Sequence, residues 1–62
     1  VQEEALLRRA VARDGTDAES MVRLGDLAAD QRPQEARAWW ERAMRTSGHP
    51  GAARRLAAPG GG

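Results

Sequence analysis

The feature that most constrains this 62-residue chain is that it resembles itself. Residues 4–15 laid over residues 37–48 match Ala5 with Ala38, Arg9 with Arg42, Ala10 with Ala43 and Gly15 with Gly48. Leu6 and Leu7 fall on Trp39 and Trp40, and Val11 falls on Met44, so apolar character and the terminal glycine recur together. Ala10 and Ala43 stand 33 positions apart. A period of about 33 to 34 residues marks a stacked helix-turn-helix solenoid, in which no unit buries its apolar face alone.

The local pattern fits helices throughout. Ala5, Leu6, Leu7, Ala10 and Val11 form a stripe at helical spacing, with Glu4 and Arg8 placed for an i,i+4 pair. Gly15 is expected to stop this helix in a left-handed conformation, and Thr16-x-x-Glu19 reads as a capping box for the next. That second helix turns Met21, Leu24, Leu27 and Ala28 inward and frays near Asp30. Pro33 suits the first turn of a third helix, whose apolar face is Ala36, Trp39, Trp40, Ala43 and Met44, and Gly48 ends it. His49 caps a short fourth helix after Pro50, spanning 51–58, and Pro59-Gly60-Gly61-Gly62 reads as tail or linker.

The expected fold is therefore all-α: an antiparallel helical hairpin with flanking helices, a fragment of an α-solenoid. Residues 1–15 form the second helix of a preceding repeat, 16–48 one repeat, and 49–58 the start of a following one. The expected core is Leu6, Leu7, Ala10, Met21, Leu24, Ala28, Ala36, Trp39, Trp40 and Ala43. Adjacent helical residues point about 100° apart, so Trp39 and Trp40 must serve two interfaces, one within the hairpin and one towards a neighbour. These are the only aromatics, and each brings a large apolar area.

Met21-x-x-Leu24-Gly25-x-x-Ala28, followed by Ala36-x-x-x-Trp40-x-x-Ala43 and Gly48, resembles the tetratricopeptide repeat, with one residue fewer between the helices. Trp39-Trp40-x-Arg42-Ala43 with Gly48-His49 is similar to the Sel1-like repeat. The chain departs from the first pattern at Met21, Ala28 and Gly48, where tryptophan, tyrosine and proline are usual. The resemblance implies that the first helix of the repeat lines a concave groove for partner peptides. The positions mapping there are Glu19, Val22, Asp26, Ala29 and Asp30, a mildly acidic stripe suited to a basic segment. The basic carboxylate clamp of that family is not expected, because the stretch has no Lys or Asn.

Composition narrows the functional classes. Ten basic residues, all Arg, offset nine acids for a net charge of +1, and this near-balance disfavours a nucleic-acid footprint. A small Arg-rich nucleic-acid binder is the weakest of the readings. No cysteine is present and His49 is the single histidine, so no metal site is expected, and no cofactor. No nucleophile stands beside a plausible base, except Ser47 near His49, where helix capping explains the histidine better. A non-catalytic chain is expected. Lys, Asn, Ile, Phe and Tyr are absent, which points to a GC-rich, bacterial genome. A chain opening on Val1 without a long apolar run or leader reads as a cytoplasmic fragment of a longer protein, with no membrane partner. The expected function is a protein-interaction or scaffold module; the alternative is a purely structural repeat that packs on neighbouring repeats or on itself.

Overall fold

The computed structural model describes residues 2–58, and the tail expected at 59–62 lies outside them. Four α-helices fill the described residues: α1 Gln2–Arg13, α2 Ala18–Ala28, α3 Pro33–Ser47 and α4 Pro50–Ala57. None is long and apolar enough to cross a membrane.

Each junction has a local cause. Within α1, Arg8 Nη2 donates to Glu4 Oε2 at 3.1 Å, the expected i,i+4 pair. The turn after α1 differs from expectation, since Gly48, at φ 63°, is the only residue with positive φ among those described. Gly15 needs no left-handed twist, because Asp14 makes the reversal. Its Oδ1 accepts from Thr16 N–H at 2.9 Å and from the Thr16 hydroxyl at 2.6 Å, a side-chain turn that replaces a glycine stop. With Thr16 so engaged, the cap of α2 moves to Asp17, which accepts from Ser20 N–H at 3.1 Å and from its hydroxyl at 2.8 Å. The Thr16–Glu19 capping box therefore does not form.

Pro33 opens α3 and Gly48 closes it, its N–H donating to Met44 O at 2.8 Å. His49 caps α4 as expected: its Nδ1 accepts from Gly51 N–H at 3.0 Å and from Ala52 N–H at 3.3 Å.

The helices pack in chain order, with α1 on α2, α2 on α3 and α3 on α4. Met21 faces Thr46 (Oγ1 to Sδ 3.8 Å) and Gly25 faces Trp40, so α2 and α3 form an antiparallel hairpin. Alternate helices run in the same direction. Glu4 and Arg8 of α1 meet Arg32 and Glu35 at the start of α3, and Glu19 and Asp26 of α2 meet His49 and Arg55.

The core is a cluster of Val11, Ala18, Met21, Val22, Leu24, Ala43 and Ala52, edged by Leu7, Trp39, Trp40 and Met44. Ala28 and Ala36 are also buried. Alanine supplies five of the nine buried apolar residues, which lets helix backbones approach closely and leaves Met21 and Leu24 as the largest fully buried side chains. Of the expected core, Met21, Leu24, Ala28, Ala36 and Ala43 are buried, while Leu7, Ala10, Trp39 and Trp40 are half-buried.

Two expectations fail. Leu6 is 62% exposed, because α1 turns Leu7 and Val11 onto the cluster and no described helix covers its other side. Leu27 is 42% exposed, on the flank of the α2 stripe that Met21, Gly25 and Ala28 bury. Val11, Ala18, Val22 and Ala52 take up the interior instead.

Candidate functional site

Two carboxylates of the α2 stripe, Glu19 and Asp26, are engaged by α4. Glu19 Oε1 lies 2.8 Å from His49 Nε2, and Asp26 accepts two bonds from Arg55, at 2.7 Å from Nε and 2.9 Å from Nη2. Arg55 also donates to Gly51 O at 2.9 Å, tying the bridge back into α4. The bond to Asp26 is the main influence raising the Arg55 guanidinium above its ordinary pKa. Val22, between the two carboxylates on this stripe, is only 5% exposed. Glu19 and Asp26 are exposed, as outward positions should be, though both are bonded to α4, while Val22 is buried, a correction to its reading as outward. The reason is that Val22 joins the core cluster that also holds Ala52 of α4.

His49 is fully committed by this arrangement. Its Nδ1 accepts two backbone N–H bonds, so the ring carries its proton on Nε2 and donates it to Glu19. Neither nitrogen is free to take a proton from Ser47.

Ala29 and Asp30, the remaining predicted groove residues, do border open space. With Pro33, Ala36, Trp40 and Leu56 they line a recess of about 560 Å³ between the end of α2, the start of α3 and the end of α4. Arg37 and Arg55 stand at its rim, so the mouth carries both signs of charge and is not an acidic stripe. Asp30 makes no ion pair among the described residues.

Trp40 forms one wall of this recess. Its indole lies so close to Gly25 that a Cβ added there would sit 2.3 Å from Nε1 and 2.6 Å from Cδ1. Nε1 is buried and has no hydrogen-bond partner, a cost tolerated where ring area is gained.

Trp39 serves a different interface, as two adjacent helical positions require. The guanidinium carbon of Arg8 on α1 lies 5.8 Å from the Trp39 ring centroid, and that of Arg42 lies 5.6 Å away. Arg8 is itself held by Glu4 and Glu35, at 3.1 and 3.2 Å, and Arg32 bridges the same two carboxylates. The Arg8 hydrogen bond is the main cause of a lowered Glu4 pKa, with the Arg32 charge adding to it. A second, shallower recess of about 400 Å³ is lined by Arg8, Glu35, Ala38, Trp39, Arg42 and Arg45.

The groove read from sequence did not include Leu56 or Arg55. A usable signal was present: opposite charges recur 27 and 29 positions apart, in Arg8–Glu35 and Asp26–Arg55, and a hydrogen-bonding pair stands 30 apart, in Glu19–His49. Such pairs are what parallel, once-removed helices produce. Comparison with known protein families, characterised proteins and solved structures gives no match to this chain.

Proposed function

We propose that the chain is a non-catalytic protein-interaction or scaffold element of the tetratricopeptide or Sel1-like kind, cytoplasmic, and docks a partner segment in the recess at Trp40. The observation that carries this reading is the recess itself: an apolar lining of Ala29, Ala36, Trp40 and Leu56, with Asp30, which makes no ion pair among the described residues, beside them. An apolar cleft with a few charged groups at its edge is the usual form of a helix-docking groove. The parallel pairing of alternate helices supports the repeat reading, since stacked hairpins place every second helix side by side.

The partner that fits is an amphipathic helical segment with an apolar face and a basic edge for Asp30. A short Leu/Lys helical peptide is the probe, titrated into isotopically labelled protein. The Trp40 indole resonance and the Ala29 and Leu56 amides should shift saturably, and Asp30→Lys should weaken binding about fivefold, the worth of one partly exposed charge pair. An unmoved Trp40 indole, or an Asp30→Lys affinity equal to that of the parent, would remove the recess as the docking site.

A structural reading, packing against further repeats or a second copy, is favoured by one observation, the 62% exposure of Leu6 on α1. Sedimentation at rising concentration tests it. A strictly monomeric chain counts against it, and association lost in Leu6→Ser counts for it.

A further inference from the structure

We infer that the face around Trp39 is a second docking surface, one that receives an acidic segment of a partner protein. It is separate from the recess at Trp40 and does not rest on it. Trp39 is half-buried on α3, held by packing on the core cluster and overlain by two guanidinium groups. Arg45, three residues after Arg42 on the same helix, completes the 400 Å³ recess with Ala38.

The two ends of this recess differ in charge. At one end Arg8 is neutralised by Glu4 and Glu35. At the other, Arg42 and Arg45 make no ion pair among the described residues, and Glu41 beside them is not bonded to either. Two free guanidinium groups beside a fixed indole bring together the residue types that carry most interface energy. Each guanidinium offers a planar fork of N–H donors that matches a carboxylate. Ala38 adds a small apolar side chain to the lining.

Nucleic acid fits this surface less well. Two guanidinium groups already lie over the indole, where a stacking base would have to compete with them. Glu35 and Glu41 interrupt the continuous positive strip that a phosphate backbone needs.

The test uses a short fluorescein-labelled Glu/Leu peptide, its Gln/Leu counterpart and an oligodeoxythymidine, each followed by anisotropy at low ionic strength. The Glu/Leu peptide should bind and the Gln/Leu peptide should not. Arg42→Gln/Arg45→Gln should weaken binding roughly tenfold, the effect of losing charge-assisted hydrogen bonds. Arg23→Gln/Arg54→Gln, which removes the same charge elsewhere, should change it less than about twofold. If the first double variant loses helicity, Arg45→Gln alone, which stacks on no ring, carries the test with a loss of about threefold. Undiminished affinity without Arg42 and Arg45, an equal loss without Arg23 and Arg54, or tighter binding of the oligodeoxythymidine would each overturn the assignment. Neither variant touches Trp40, Leu56 or Asp30, so failure here leaves the first recess standing.

Discussion

Gly25→Ala offers the sharpest test of the packing, because two effects of opposite sign meet at one atom. Gly25 lies inside α2, where alanine is the better helix former by about 1 kcal/mol. On propensity alone the substitution should stabilise the fold. The new Cβ, however, would lie 2.3 Å from Trp40 Nε1, 2.6 Å from Cδ1 and 3.0 Å from Ala36 O. A rigid ring and a backbone carbonyl close the same space, so no small side-chain rotation relieves both contacts. Either the indole leaves the seam or α2 and α3 move apart. Overpacking of this kind costs about 1–3 kcal/mol, and displacing half of an indole's buried area, about 100 Å² at 25 cal/mol/Å², costs about 2.5 kcal/mol.

Net of the propensity gain, Gly25→Ala should destabilise by about 1–2 kcal/mol, a large share of what a chain of this size holds. Urea unfolding followed by far-ultraviolet circular dichroism measures it, and Trp40 emission in a Trp39→Phe background should shift red. Pairing with Trp40→Leu should recover part of the loss, since the smaller side chain vacates the clash; the double-mutant coupling isolates that contact. A Gly25→Ala protein as stable as the parent, or more so, would show that Trp40 does not lie against α2, and the wall of the first recess would go with it.

Three further outcomes follow from burial, titration and capping. Leu6→Ala should change stability by less than about 0.5 kcal/mol, whereas Met21→Ala, which removes a fully buried side chain, should cost at least about 2 kcal/mol; urea midpoints compare them, and equal costs would contradict the placement of α1. The Asp14 pKa is lowered chiefly by the Thr16 hydroxyl and then by the Thr16 N–H, and that of Glu4 chiefly by Arg8. A carboxyl with a lowered folded-state pKa stabilises the fold fully above about pH 5 and loses that contribution as pH falls through the lowered value. Thermal midpoints should therefore drop on the acid side, and Thr16→Val should return the Asp14 titration, read by NMR, towards its ordinary value. His49→Ala should cost about 1 kcal/mol through the lost cap, read as faster hydrogen exchange at Gly51 and Ala52, while His49→Asn, itself a good cap, should retain most protection.

Helix existence was legible because it follows from spacing. Pro33 and Pro50 mark starts and Gly48 marks a stop, and each acts on its own backbone. The alanine-rich hairpin was legible for the same reason, since Ala36 and Ala43 occupy one face of α3. Competition between neighbours was not legible. Thr16 and Asp17 can each cap α2, and the choice falls to Asp17 because Asp14 takes the Thr16 hydroxyl. Nor does amphipathicity say how many sides of a helix will be covered. α2 packs on both α1 and α3 and buries Val22, while its exposed Glu19 and Asp26 reach His49 and Arg55, and α1 is covered by too little to bury Leu6.

The fourth helix links stability to docking. Eight residues are too few to hold a helix in water without help, so α4 depends on its neighbours for order. Help comes from the His49 cap, the burial of Ala52 and the two hydrogen bonds that Arg55 donates to Asp26. Leu56, on the same helix, forms a wall of the recess at Trp40. The recess therefore exists only while α4 is seated, and whatever loosens the seat removes the site. A helical segment bound against Trp40 and Leu56 must in turn hold α4 down, since a ligand of the docked state stabilises that state by mass action. Asp26→Asn should accordingly weaken docking at Trp40 without touching the ligand, whereas Asp30→Lys, which removes no bond to α4 among the described residues, should weaken docking with α4 still protected. On the proposed docking reading, the two carboxylates read from sequence as one stripe would act on the same recess by separable routes, one by holding its wall and the other by meeting its occupant.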